Sequence, residues 1–306
     1  MLVSACAYKH TDKLNKSRIQ IAKSDIAAHF NRLPARVFKH DDLAKIIAEQ
    51  RAFWRLASAT TVSKFIEFLI DDSELSLVEF EFPARAELCF VWGKVSTLEV
   101  LGHIKKNTYF SHYTAMSAHG LTEQTPTSFY LTAERASPSA SRNDLTQEGI
   151  DRAFAAAPRV TENICTLDDK RIYLLNGAHT KMLGVIAKDL TAEDGTKVRA
   201  KVTDLERTLI DAVVRPAYSG GVFEVAKAFA NALDRVSVNK LAAMLGKLSF
   251  TYPFHQAIGF YLERAGYQAH QLELLRKPME FDFYLTHNMG PSRYVKDWRL
   301  YVPQGF

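Results

Sequence analysis

The hydrophobic period of this chain changes at Ser73, and that change limits what the chain can fold into more than any other feature. Before it, Val62, Phe65, Ile66, Leu69 and Ile70 fall at i, i+3, i+4, i+7 and i+8, one face of a helix. After it, Val78, Phe80 and Phe82 alternate with Glu79 and Glu81; Pro83 breaks the run, and Leu88 to Trp92 form a second short apolar stretch ending at Gly93. A helix therefore feeds directly into a β-hairpin. Upstream, Ile19, Ala22, Ile26, Phe30 and Leu33 predict a first helix stopped by Pro34, and Asp41 or Asp42 can cap a second whose stripe is Leu43, Ile46, Ile47 and Trp54. After the polar break Ser58 to Thr61, Thr60 or Thr61 is placed to cap the third. Three helices and a hairpin within about 75 residues is the order of a winged helix-turn-helix, and an ordinary small α+β domain fits the same order.

Charge divides along the same line. Residues 1–64 carry 12 Lys and Arg against 5 Asp and Glu, a balance of +7, whereas residues 65–90 carry one Arg against seven acidic residues, a balance of −6. An anion-binding surface bordered by a repelling one produces this asymmetry, and so does a solvated helix face. The whole chain, at +5 over 306 residues, is only mildly basic. Its 47% apolar and 24% charged residues are globular values, and the length suits two domains of unequal size. No run of about 18 apolar residues occurs, and Met1 to Tyr8 is too short for a signal core before Lys9. Cys6, Cys89 and Cys165 match neither a zinc ribbon nor a disulfide framework. These features place the protein in the cytoplasm, with no membrane partner.

From Ser96 onward helices and strands mix without a repeat. Ser111 is positioned to cap a helix carrying Tyr113, Met116 and Ala118; Phe129 to Thr132 predicts a strand, Ser137-Pro138-Ser139 a loop, and Gln147 to Ala156 a helix halted before Pro158. Asn176-Gly177 between Ile172–Leu175 and Met182–Ile186 predicts two strands around a tight turn. Thr203-Asp-Leu-Glu206 has the spacing of a capping box opening a helix from Asp204 to about Val214, ended by Pro216. Gly220-Gly221 leads into a helix over Val222 to Val236, Ser237 caps the next, and Pro253 starts one that ends at Gly266. The fold class is α+β: a winged helix-turn-helix domain over residues 1–97 and a larger mixed α/β domain over residues 98–306.

Catalytic signatures are sparse. The chain has no phosphate-loop, dinucleotide, nucleophile-elbow or HExxH pattern, and no Gly-Ser with a downstream Asp-x-Asp pair. His112 and His119 lie two helical turns apart with no third ligand converging, which fits structural or surface histidines better than a metal site. Arg207 and Asp211, four apart, form an intrahelical ion pair, a buried pair fixing the interior or, as the weakest of the three readings, a catalytic dyad. No strand-like run alternates aromatic residues with Lys or Arg as an RNA-binding sheet would. The expectation is a protein that is not an enzyme and uses neither metal nor cofactor.

Two blocks resemble a known family. Tyr109-Phe-Ser-His-Tyr-Thr-Ala-Met-Ser-Ala-His-Gly-Leu-Thr122, with Pro126 and the run Phe129-Tyr-Leu-Thr132, is similar to the segment that opens the C-terminal domain of AbiEi antitoxins. Val202-Thr-Asp-Leu-Glu-Arg-Thr-Leu-Ile-Asp211, with Arg215-Pro216 and Gly220-Gly221, resembles that family's most recognisable block, and Trp298-Arg-Leu extends the likeness toward residue 306. The resemblance implies a winged-helix domain that represses its own operon and a larger domain that neutralises a nucleotidyltransferase toxin, AbiEii, in abortive phage defence. It marks Ser111, His112, Gly120, Glu206, Arg207, Asp211 and Arg215 as motif residues of the larger domain. The first domain departs from the commonest family form in its long lead-in and its acidic hairpin.

The partners so implied are operator DNA upstream of its own operon and the toxin. If residues 58–64 start a recognition helix, Ser58, Thr60, Thr61, Ser63 and Lys64 approach bases and phosphates while Arg36, Lys39, Arg51 and Arg55 anchor the DNA backbone. Two alternatives remain: a larger domain that modifies the toxin or its nucleotide, and an interaction module whose winged helix binds protein.

Overall fold

Ile19, Ile26 and Phe30 sit on helical residues of a stripe that the chain folds as two helices in succession, α1 (Arg18–Ile21) and α2 (Lys23–Arg32), with Ala22 at their junction. The computed structural model describes residues 17–124, 126–137, 144–276 and 279–306. They form two compact units, one holding residues up to 78 with 89–95, the other residues 79–88 with 96–306.

In the first unit α2 is followed by β1 (Val37–Phe38), α3 (His40–Gln50), α4 (Val62–Asp72), β2 (Leu75–Phe80) and β3 (Glu87–Trp92). The helices and the hairpin follow in the expected order, but α3 is capped at Lys39 rather than at Asp41 or Asp42, both of which lie inside it, and it ends at Gln50, so Trp54 of the expected stripe sits in the turn that follows. β1 has no sequence signal because a two-residue strand shows no period, yet it pairs antiparallel with β3, giving the order β1-β3-β2. The core is Ile26, Phe30, Leu43, Ile47, Trp54, Phe65, Leu69 and Trp92, all nearly or fully buried, with Phe30 stacked on Trp92 at 4.6 Å. The outer hairpin, residues 79–88, is part of the second unit, and Phe80 and Phe82 within it are buried.

The second unit opens with α5 (Thr97–Gly102), β4 (Thr108–Phe110), α6 (His112–Ala118), β5 (Ser128–Glu134) and α7 (Gln147–Ala155). β6 (Ile164–Leu167), β7 (Lys170–Gly177), β8 (Val185–Thr191) and β9 (Lys197–Thr203) complete a six-stranded sheet of order β6-β7-β5-β4-β9-β8. Its β7–β5 and β4–β9 pairs are parallel and the rest antiparallel. Then come α8 (Leu205–Val214), α9 (Val222–Asn231), α10 (Val238–Leu248) and α11 (Phe254–Ala265), whose apolar faces share one core with α7. β10 (Phe283–Tyr284), β11 (Ser292–Val295) and β12 (Leu300–Pro303) close the chain as a small sheet.

Several local expectations change. Asn176-Gly177 is no turn: β7 runs through it, parallel to β5, and β8 lies on the opposite edge of the sheet. Gly177 is needed for closeness, since a Cβ there would stand 2.5 Å from Thr132 Cγ2. The hairpin on this side joins β6 to β7 through Asp168, whose φ of 54° is left-handed. Asp204, not Thr203, caps α8, accepting from Arg207 N at 2.8 Å; the Thr203 hydroxyl meets Thr208 Oγ1 instead, so no capping box forms. Pro253 stands just before α11 rather than as its first residue, and α9 ends at Asn231, short of Val236. Ser237 caps α10 and Gly266 ends α11 as expected. Pro138 and Ser139 of the expected loop lie outside the described residues.

Candidate functional site

The first unit offers a cationic face around the start of α4. Thr61 accepts from Lys64 N at 3.2 Å, satisfying one orphan donor of the helix, and Ser58, Thr61, Ser63 and Lys64 are exposed while Thr60 is half-buried. The connection from α3 is held by Arg51, whose guanidinium donates to Ala57 O and Thr60 O at 2.8 Å each. Trp54 is buried in the same turn, stacked on Phe65 at 5.7 Å. Arg55, exposed, adopts a left-handed φ of 52°.

The residues expected to anchor DNA thus separate into two kinds. Arg51 is bound to backbone carbonyls, and Arg36 donates to Phe30 O and Asn31 O at 3.2 Å, closing the end of α2. Lys39 is half-buried at the cap of α3, its N–H donating to Asp42 Oδ2 at 2.9 Å. Among the described residues Arg55 and Lys64 have no ion-pair partner, so their charges face solvent.

The motif residues of the second unit gather where β4 meets α6 and α8. Ser111 precedes α6, yet its hydroxyl makes no cap: it bonds Thr132 Oγ1 at 2.7 Å and His112 Nδ1 at 2.9 Å. His112 is buried with φ of 49°, its ring edge-on to Tyr218 at 5.5 Å. Burial pulls its pKa down to about 4, the attraction of Asp211 only partly opposing this, so the ring is neutral at physiological pH. Gly120 takes a left-handed φ of 65° after α6, and Arg215 is exposed beside the Tyr218 ring at 5.9 Å.

Arg207 is the centre of this cluster. It is 6% exposed, and its Nε donates to Asp211 Oδ1 at 2.8 Å, Nη1 to Leu183 O at 2.6 Å and Nη2 to Tyr109 OH at 3.1 Å. Burial opposes the guanidinium charge, but Asp211 and the Tyr109 hydroxyl outweigh it and raise the pKa. Burial raises that of Tyr109 too, keeping the phenol protonated as a bridge between Arg207 and Glu134. The Glu134 carboxylate accepts from Thr180 N at 2.9 Å, Thr180 Oγ1 and Met182 N at 3.2 Å. Together Glu134 and Arg207 hold the crossover 178–184 that carries the chain from β7 to the far edge of the sheet. Gly184 permits the approach, since a Cβ there would lie 2.8 Å from Arg207 Cβ at a φ of +72°. Glu206 faces α10, accepting from Ser237 N at 3.0 Å and Lys240 Nζ at 2.7 Å, contacts that lower its pKa against the effect of burial.

Glu134, Gly184 and Lys240 were not marked by sequence reasoning, and Tyr109 and Thr132 were quoted within the resembling blocks without a role, because each acts through a partner distant along the chain. Arg171 and Tyr173 share one face of β7, with Tyr130 stacked on Tyr173 at 4.7 Å. Among the described residues no group of three or more His, Cys, Asp or Glu is placed to hold a metal. A cavity of about 680 Å³ between α10 and α11, lined by Asn239, Gly246, Phe250, His255 and Leu274, contains none of the motif residues. No helix among the described residues is long and apolar enough to cross a membrane.

No family model matches the sequence, and no curated protein matches it. Similarity is found in three dimensions: the crystal structure of RV2827C protein from Mycobacterium tuberculosis superposes with a TM-score of 0.54 at 14% identity, over 94% of this chain and 92% of that one. The chain shares that protein's fold.

Proposed function

We propose that the protein is an AbiEi-type antitoxin: a cytoplasmic autorepressor that binds operator DNA through a winged helix-turn-helix in its first unit and counteracts a nucleotidyltransferase toxin through its second, without catalysis of its own. The observation that carries the DNA reading is the start of α4. A side-chain-capped helix presents Ser63 and Lys64 to solvent, with no acidic residue in its first turn, next to a turn locked by Arg51. Such a surface suits phosphates and base edges. The outer hairpin exposes Glu79 and Glu81, and in this reading its charge keeps it from contacting DNA. The antitoxin role is supported by the two sequence blocks that resemble the family, which meet where Arg207 donates to Tyr109 OH at 3.1 Å and where His119 Nε2 bonds Thr203 O at 2.7 Å.

A mobility shift with the DNA upstream of its own gene tests the first half. The full chain binds, and Lys64→Glu, which reverses an exposed charge, lowers affinity about a hundredfold or more while leaving thermal unfolding unchanged. Unaltered binding removes the assignment. Co-expression with the neighbouring nucleotidyltransferase tests the second half: the full chain restores growth, and failure to do so removes the antitoxin role.

A further inference from the structure

Phe53 is 70% exposed, more than any other large apolar side chain among the described residues. Nothing about its backbone lets it retreat. Its neighbour Trp54 is 3% exposed and fills the core slot, Trp54 N donates to Gln50 O at 2.9 Å, Leu56 N donates to Arg51 O at 3.0 Å, and Arg55 is left-handed. Arg51 ties the same turn to Thr60 O, so the turn and the first residues of α4 form one rigid piece. An aromatic side chain on a fixed backbone has only two torsions to order on binding. The sequence around it favours an anionic partner: between Glu49 and Glu67 the ionisable side chains are Arg51, Arg55 and Lys64, all cationic. An apolar ring set in a purely cationic polar segment is suited to a polyanion that also offers an apolar group. In the DNA major groove that group is the thymine 5-methyl.

We propose that Phe53 reads thymine, its ring packing on the 5-methyl group of a base beside the point where α4 enters the groove. This rests on the DNA reading of the first unit and adds to it a specificity-determining side chain that lies before the recognition helix. The test uses the full chain and the duplex upstream of its gene, amplified with dTTP or with dUTP so that every thymine methyl outside the primers is present or absent. Wild type binds the uracil duplex about tenfold more weakly. Phe53→Ala binds the thymine duplex about tenfold more weakly than wild type, no longer distinguishes the two duplexes, and keeps the wild-type salt slope, since no phosphate contact is lost. Phe53→Leu recovers part of the discrimination. A Phe53→Ala protein that binds the thymine duplex as wild type does, or that still prefers it, overturns the inference. So does a wild type indifferent to the methyl groups, or sedimentation showing that Phe53→Ala only dissolves a dimer. If Lys64→Glu abolishes binding while Phe53→Ala changes nothing, this inference alone fails; if wild type binds neither duplex, the DNA reading fails with it.

Discussion

Helices α4 and α8 open in the same way and end in opposite environments. Each starts at a side-chain cap, Thr61 or Asp204, and each carries an apolar stripe with charged residues between. In α4 the charges Lys64, Glu67, Asp71 and Asp72 stay in water and only Phe65, Ile66, Phe68 and Leu69 are buried. In α8 every residue from Glu206 to Val213 is buried, including Glu206, Arg207 and Asp211. Charge in α4 is thus available to a partner, whereas charge in α8 is consumed internally, Arg207 by Asp211, Leu183 O and Tyr109 OH and Glu206 by Ser237 N and Lys240 Nζ.

The largest expected effect follows from that contrast. Arg207→Ala leaves Asp211 buried without its counter-ion and removes the donors to Leu183 O and Tyr109 OH, so the second unit loses about 3–5 kcal/mol. Asp211→Ala strands the guanidinium instead and costs a similar amount. Both proteins should melt well below wild type and lose protection against toxin through unfolding. Normal melting with lost protection in both would break the comparison, making α8 a functional surface.

Next is a pH effect. The folded-state pKa of His112 lies at about 4 against 6.5 for the unfolded chain. The unfolded state therefore binds the extra proton as pH falls below 6.5, and stability is lost between pH 6.5 and 4, by up to about 3 kcal/mol, and is constant above. His112→Asn, which keeps a residue tolerant of the left-handed backbone, should flatten that part of the stability curve. An unchanged slope on urea unfolding would show that carboxylates alone produce it.

Arg51→Ala sharpens the other side. Freeing Ala57 O and Thr60 O should cost the first unit about 1–3 kcal/mol and weaken DNA binding, because the start of α4 is no longer held. The salt slope should stay at the wild-type value; a slope reduced by about one would mean that Arg51 contacts phosphate.

What was legible in the sequence was whatever repeats locally. Phe65 and Leu69, Ile26 and Phe30, and the alternation Val78, Phe80, Phe82 announce their elements because burial on one face forces a period. Asn176-Gly177 misled because a glycine can be required by a neighbour as well as by a turn, and Thr132, the neighbour here, is far along the chain. The i to i+4 spacing of Arg207 and Asp211 is the same for an exposed pair and a buried one. Burial was decided by Tyr109 and Leu183, which are 98 and 24 residues away. The residues expected to face DNA are marked as a group by their charge and position, but nothing in the sequence shows that Arg36 and Arg51 donate to backbone carbonyls.

The smallest prediction compares the two caps themselves. Thr61→Ala removes one acceptor from an exposed helix start, where water replaces it, so the cost should be about 1 kcal/mol. Asp204→Ala removes an acceptor from Arg207 N and also a partner of Lys240 Nζ at 2.9 Å, in a place where Asp204 is only 7% exposed. Water cannot substitute there, and the loss should approach twice that of Thr61→Ala, toward about 2 kcal/mol. Added salt separates the contributions further, since it screens the half-exposed Lys240 contact but does not affect a neutral hydroxyl cap. Equal losses for the two variants, insensitive to salt, would mean that the two helix starts are solvated alike and that the contrast between α4 and α8 begins only after their first turn.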